Sequence, residues 1–397
     1  MSSSHALSIS EALPIRSAQR RSAAKILGQA HVVPQAFDQM QTWSDHFAKE
    51  FGDSPLAAKI WNFTGISTRH AVVNPVAEDV ASWSTGQRMK RYRQEALPLG
   101  IRAVEEALAN AGLRPDEVGL LAVVSCTGYV TPGLDILISE QLGMSPDVQR
   151  LIVGHMGCYA AVPGLGAVSD FVVARNKPAV MLCIELTSLH AQPVHEISVT
   201  NPTKADVEQV VAHAIFADAA AAIVLGPSAG SPEHQAGRRV PHLVRPSVPD
   251  APGFEGVEVS AVTDWATQDL MRWDVTDLGF RMVLSVEVPG VLAQHVRGAV
   301  TRLLDRHDYR IEDIAGWAVH PGGRKILDVV HDRLGLPAGS LDASYSVLRD
   351  YGNCSSPTVL IALERLAATT DIPVGAPVVA MAFGPGLTLY SALLRRV

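Results

Sequence analysis

Five stretches of this chain are almost wholly apolar and short enough to be strands: LLAVVSC (120–126), AVMLCIEL (179–186), AAAAIVLG (219–226), GWAVH (316–320) and PVVAMAF (377–383). A strand without polar alternation is covered on both faces, so these predict the inner strands of a sheet with helices on either side. Segments of helical period lie between them, including ALPLGIRAVEEALANAG (96–112) and GRKILDVVHDRLG (323–335). Strands and helices in alternation predict an α/β protein.

One arrangement recurs. LRPDEVGLLAVVSCTG, from Leu113, is followed downstream by EQLGM, and YRIEDIAGWAVHPGG, from Tyr309, is followed downstream by DRLGL. Each copy has an acidic start, a buried strand, a Gly-containing turn, a helix and a Leu-Gly end. The pair suggests an ancient duplication, although any two strand–helix units share part of the pattern. The Gly/Pro/Ser-rich stretch 226–239 is the natural boundary. The expected organisation is a loose polar arm over 1–22, one half over 23–235 and a second over 236–397.

Composition narrows the classes. The chain has 397 residues and a net charge of −7, with no clustered basic stripe of the kind that binds nucleic acid. Its dense basic runs, Arg16–Arg21 and Lys90–Arg93, read as solvated faces, although the second could attract a phosphorylated substrate. The first 22 residues carry no apolar run of signal-peptide length, and no stretch approaches the ~20 apolar residues of a membrane span. The four cysteines, Cys126, Cys158, Cys183 and Cys354, form no CxxC pair. That pattern argues against zinc and against a disulfide framework, and predicts a reducing cytoplasm.

Three residues sit where chemistry is done. Cys158, in GHMGCYAAVPGLG, follows a short strand and a glycine and opens a helix. Unpaired N–H groups at a helix start favour an anion, so the position predicts a thiol of lowered pKa. His320 ends a buried strand and precedes a Pro-Gly-Gly turn. Asn353, in DYGNCSSPTVL, follows a glycine before a hydroxyl-rich helix start. Taken singly, each has a plain structural reading: a core cysteine, a satisfied strand-end histidine, a turn asparagine. Together they have the arrangement of covalent acyl catalysis.

Four segments carry a family resemblance. Gly157–Cys158, W-x-x-H-P-G-G at 317–323, Y-G-N-x-S-S at 351–356 and F-G-P-G-L-T at 383–388 resemble, in order and spacing, the type III polyketide synthases. These are the chalcone and stilbene synthase family of the thiolase-like superfamily. The resemblance runs from about residue 25 to the C-terminus. It implies a duplicated αβαβα five-layered sandwich that forms a homodimer. It also implies an acyltransferase that uses an acyl-CoA starter and malonyl-CoA, with no metal or redox cofactor; an acyl carrier protein is a second possible starter donor.

Carried over, Cys158 would hold the growing chain as a thioester, with His320 as its imidazolium partner. His320 and Asn353 would stabilise the enolate left by decarboxylation of malonyl-CoA. Phe216 and Met282 would gate the CoA tunnel, with Met282 standing where plant enzymes carry phenylalanine. Cys126, His190 and Trp273 replace Thr, Thr and Gly of chalcone synthase on the cavity wall, joined there by Thr127, Thr131, Thr187 and Ser355. Trp273 in place of glycine predicts a small main pocket, with few extensions or with the acyl chain in a side tunnel. Gly384, Pro385 and Gly386 form the last turn of the site. Arg69 would lie near the CoA phosphates, and Gly322 and Gly323 along the pantetheine arm. Asp218 reads as structural.

The expected activity is repeated decarboxylative condensation with release of a pyrone, resorcinol or phloroglucinol product. The alternatives are a single-condensation synthase, a non-catalytic homologue that keeps the fold, and a Cys-His-Asn protease.

Overall fold

The computed structural model describes residues 23–193, 202–228, 253–369 and 371–397. The expected arm at 1–22 and most of the expected boundary stretch lie outside the described residues.

The first half runs β1 (Ala24–Val32), β2 (Gln35–Asp38), α1 (Gln39–Thr42), α2 (Ala48–Glu50), α3 (Pro55–Phe63), β3 (Thr68–Ala71), α4 (Thr85–Ala111), β4 (Leu120–Val124), α5 (Leu134–Gln141), β5 (Gln149–Val153), α6 (Ala161–Arg175), β6 (Ala179–Leu186), α7 (Lys204–Ile215) and β7 (Asp218–Pro227). The second runs β8 (Phe254–Thr263), β9 (Met271–Thr276), β10 (Gly279–Leu284), α8 (Val288–Asp305), β11 (Gly316–Val319), α9 (Arg324–Leu334), α10 (Asp342–Tyr351), α11 (Pro357–Thr369), β12 (Pro377–Gly384) and β13 (Thr388–Arg396).

The duplication is visible in strand order. One half is ordered β1-β7-β6-β4-β5 and the other β8-β13-β12-β11, joined into a nine-stranded sheet through the single pair Lys25–Glu255. Corresponding pairs run in the same sense: β4–β6 and β11–β12 are parallel, β6–β7 and β12–β13 antiparallel. Among the described residues the second half has no counterpart of β5; α10 stands between α9 and α11 instead. Even the acidic turns match, for the backbone N–H of Arg114 donates to Glu117 at 2.8 Å and that of Arg310 to Asp313 at 2.8 Å.

Alternation along the strands builds the layers, because successive side chains point to opposite faces. On β6, Met181 and Cys183 face a central core that also holds α6, α11 and residues of β12 and β13. Val180, Leu182 and Ile184 face an outer core with α4. On the far side, Val379, Met381 and Leu393 pack with α8 and α9. Helices, sheet, helices, sheet, helices is the five-layered order expected.

Two expectations change. Periodicity predicted a helix from residue 96, but α4 begins at Thr85. Its first turns are polar and give no apolar stripe, while Ser84 and Gln87 cap one another. The expectation that no stretch approaches a membrane span is also revised, since Gly157–Arg175 has the length and a hydropathy of 1.4 to pass for one. Its apolar residues Ala161, Val162, Leu165, Val168 and Val172 belong instead to the central core.

Candidate active site

Cys158 lies in a tight turn, Gly157–Tyr159, that runs into α6. Gly157 has φ of +72°, and a Cβ there would stand 2.9 Å from Pro385 Cδ, so only glycine lets the 384–386 turn close over Cys158. Gly384 closes in the same way, since its Cβ would be 2.9 Å from Tyr159 and 3.4 Å from the Cys158 nitrogen. The thiol is 5% exposed. Burial pushes it up to about 11, against the pull of hydrogen bonds from Ser355, its own backbone N–H and Asn353. This corrects the expected lowering, because loss of water around a thiolate outweighs the helix start in a closed chamber.

His320 follows β11 and is 1% exposed. Its ring meets Phe383 edge-on at 5.7 Å, and its Nδ1 is buried without a hydrogen-bond partner. Burial lowers it to about 3. Burial thus disfavours the charged form of both members of the expected thiolate–imidazolium pair, and no hydrogen bond joins them among the described residues.

Asn353 is held at both ends. Its Oδ1 accepts from the Ser355 N–H at 2.9 Å, and its Nδ2 donates to the Gly322 carbonyl at 3.3 Å. Gly322 sits against His320, whose ring carbon and Nε2 would be 3.6 Å from a Cβ there. The residue predicted from each half thus reaches one chamber. Gly323, at the start of α9, has open space around it. Ser355 adopts φ of +58°, which turns its side chain toward Cys158 and Cys126.

Beyond this chamber lies a cavity of about 950 Å³, lined in part by Phe37, Phe47, Val80, Phe216, Trp273 and Met282. Thr187 and His190 also reach it. Phe216 and Trp273 stand 6.5 Å apart, ring to ring. Trp273 forms a wall of a large side cavity, the place its size had suggested for an acyl chain beside a small main pocket. Cys158, His320 and Asn353 do not line it.

Several predicted residues act from behind the wall. Thr127 is fully buried; its hydroxyl donates to Glu185 at 2.7 Å and accepts from the Leu186 N–H at 2.9 Å. The Thr187 hydroxyl donates to the Ala217 carbonyl at 2.8 Å. Thr131 is exposed on the loop before α5, outside the chamber of its own chain. Arg69 holds the Phe216 turn: its Nη1 donates to the carbonyls of His213 and Phe216, and its guanidinium lies 4.7 Å over Trp61, while the residue also borders the cavity. Asp218 is structural, as expected. It accepts from the N–H groups of Val72 and Ser188, and burial lifts it to about 6.

Glu185 escaped the sequence reading. It ends β6 fully buried and accepts from Cys126 N–H, Thr127 N–H, the Thr127 hydroxyl and the Ser356 hydroxyl. Burial nevertheless raises its pKa. The signal was there: a lone carboxylate inside an eight-residue apolar strand must find partners. All four cysteines are free thiols.

Comparison with known proteins agrees with this geometry. The sequence profile "Chalcone and stilbene synthases, N-terminal domain" matches residues 62–229, and the C-terminal domain profile matches 263–397. An alpha-pyrone synthesis polyketide synthase-like protein of Mycobacterium tuberculosis is 31% identical over 93% of this chain and 90% of its own. PKS-I of the brown alga Ectocarpus siliculosus superposes with a TM-score of 0.82 at 27% identity, covering 96% of this chain and 100% of that one. 1,3,6,8-Tetrahydroxynaphthalene synthase of Streptomyces coelicolor, a bacterial type III polyketide synthase, does so with a TM-score of 0.80 at 25% identity, covering 94% and 99%.

Proposed function

Because this chain belongs to the chalcone and stilbene synthase family and is a type III polyketide synthase, we propose that Cys158, His320 and Asn353 are its catalytic residues and that its starter carries an apolar tail. The observation behind this reading is the convergence of Cys158 from one half and Asn353 from the other beneath the Gly384–Pro385 turn.

Acyl transfer comes first. The Cys158 sulfur attacks the acyl-CoA carbonyl while its proton passes to His320. Burial favours the neutral form of each group, so transfer accompanies attack rather than preceding it. The tetrahedral intermediate then expels CoA, whose thiolate takes the proton back from His320. Malonyl-CoA binds next, its thioester oxygen accepting from Asn353 Nδ2 and His320. Loss of CO₂ leaves an enolate, and donors aimed at its oxygen in a dry site are each worth roughly 3 kcal/mol. The enolate carbon attacks the acyl-Cys158 carbonyl, the C–S bond to Cys158 breaks, and the chain leaves on CoA two carbons longer. Reloading repeats the cycle until the chain cyclises as a pyrone, resorcinol or phloroglucinol. No step calls on a metal or redox group.

The cavity past Phe216 and Trp273 is where the tail would lie, and Met282 offers a more pliable gate than phenylalanine would. Gly322 and Gly323 leave room for the pantetheine arm. With Arg69 bonded to the Phe216 turn through Nη1, exposed Arg324 and Lys325 directly after the Gly322–Gly323 turn are further cations for the CoA phosphates. A homodimer would form through β5, a sheet edge that exposes Leu151 and Ile152 and needs cover. Four free thiols suit a reducing cytoplasm.

The test is mass spectrometry of products from a panel of acyl-CoA starters with isotope-labelled malonyl-CoA. Two or more labelled units per product from an aliphatic starter are expected, and none from Cys158→Ala. A single unit with every starter, or extension that survives Cys158→Ala, would overturn the reading.

A further inference from the structure

Trp273 and Met282, the two walls that distinguish this cavity, are cross-strand partners in the β9–β10 hairpin. That hairpin is a separate two-stranded sheet, and a lone hairpin is marginally stable in water. Its seat has to come from the elements that hold its turn.

Those contacts are specific. The Thr85 N–H at the start of α4 donates to the Asp277 carbonyl at 2.8 Å, and the Gly279 N–H donates to the Thr85 hydroxyl at 2.8 Å. Gln192 donates to the Leu278 carbonyl at 3.1 Å. Gly279 has φ of +91°, and a Cβ there would stand 2.5 Å from Arg88 Cδ and 3.0 Å from His190 Nδ1. The turn is therefore pressed onto the side chains of Arg88 and His190.

His190 is the link. Its Nδ1 accepts from the Phe280 N–H at 3.0 Å, so its proton is on Nε2, which donates to the Thr127 carbonyl at 2.6 Å. Its ring stacks on Phe280 at 4.5 Å and meets Trp273 edge-on at 5.7 Å. Thr127 is bound in turn to Glu185 behind the nucleophile's chamber. One imidazole therefore couples the hairpin to the chamber wall.

Arg88 holds His190 in place. Fully buried, it donates to the carbonyls of Leu189 and Ala191 on either side of His190, and to those of Ala81 and Trp83. No carboxylate pairs with it among the described residues. A buried cation spent wholly on backbone is costly unless those carbonyls must be held.

We infer that Arg88 and His190 are positioning residues that set the depth of Trp273 and Met282 in the cavity, and thereby the number of malonyl units the chain receives. This rests on the proposed condensation chemistry. Neither residue touches the reacting atoms.

The test uses the full-length protein with hexanoyl-CoA and malonyl-CoA. His190→Ala removes both hydrogen bonds and the stacked ring, whereas His190→Gln keeps a donor for Thr127 and an acceptor for Phe280. Three readouts are taken: amide exchange over 271–284, malonyl units per product, and the rate of Cys158 acylation by intact mass. His190→Ala is expected to speed exchange in the hairpin by about tenfold or more and to change the malonyl count. In Arg88→Gln, whose side chain does not line the cavity, acylation should stay within about threefold. His190→Gln should restore both hairpin exchange and count, and Arg88→Gln should resemble His190→Ala. Unchanged exchange in His190→Ala overturns the inference, as does an equal fall of acylation and extension with the same products. If Arg88→Gln fails to fold, the two His190 variants still decide the matter. A wild type that extends no acyl-CoA would sink the function proposed above, while hairpin exchange would still report the seating.

Discussion

Phe216 and Asn353 are joined backbone to backbone. They form a parallel bridge, in which the Asn353 N–H donates to the Ile215 carbonyl and the Ala217 N–H donates to the Asn353 carbonyl, each at 2.9 Å. The proposed gate residue and the amide proposed to hold the enolate thus sit on one short ladder between the two halves. A shift at the gate is a shift at the amide.

Arg69 tests that linkage. It fixes the Phe216 carbonyl at 3.2 Å, so Arg69→Ala should let the bridge drift. A displacement near 1 Å can cost about 100-fold in rate. Malonyl-CoA decarboxylation should therefore fall by about ten- to 100-fold in kcat, with KM for acyl-CoA little changed. A phosphate-binding role would do the reverse, raising KM for every CoA ester and sparing kcat.

Trp273→Gly should open the wall between chamber and cavity. The ring now stands between Phe216 and His190. Longer products, or turnover of bulkier starters, are expected by mass spectrometry. An unchanged product length would mean that Trp273 does not limit the chain.

Glu185→Ala should be among the most damaging substitutions outside the trio. It leaves two buried N–H groups and the Ser356 hydroxyl unpaired. At about 1–3 kcal/mol for each unsatisfied group, stability should fall by about 3 kcal/mol or more in urea unfolding at neutral pH. Glu185→Gln keeps acceptor capacity and should cost less.

Stability should fall on mild acidification. His190 is lowered to about 4 in the folded chain by burial, partly offset by its bond to the Thr127 carbonyl. An unfolded histidine titrates near 6.5. Between those values the unfolded chain binds the proton and the folded one does not. The contribution is therefore fully present above about 6.5 and is lost as pH falls toward 4. From pH 6.5 to 5, His190 alone should remove about 2 kcal/mol. His320, lowered to about 3 by burial, acts in the same direction. Urea midpoints at pH 7 and pH 5 measure the sum, and His190→Gln should flatten the difference.

The inner strands were legible because a strand buried on both faces has no polar position, and 179–186 matches β6 residue for residue. The trio was legible because Gly157, Gly322 and Gly352 mark junctions where backbone must approach closely. The β9–β10 hairpin was not, for MRWDVT and GFRMVL lack both an apolar run and clean alternation; contacts to α4 and His190 hold them instead. The bonds of Arg69 to the His213 and Phe216 carbonyls were not legible, because a cation in sequence gives no sign of which carbonyls it will meet.

By itself, then, the sequence determined which segments lie inside and that Cys158, His320 and Asn353 stand at element ends, and it suggested two similar halves. These follow from periodicity and local backbone demands, which each segment carries alone. Only the tertiary structure decided that Asn353 reaches Cys158 out of water with His320 buried beside Gly322, that Trp273 borders a large cavity, and that the Cys158 thiol rises rather than falls. Proton affinity depends on how much water the neighbouring elements exclude. Those neighbours come from distant parts of the chain, where no local pattern can register them.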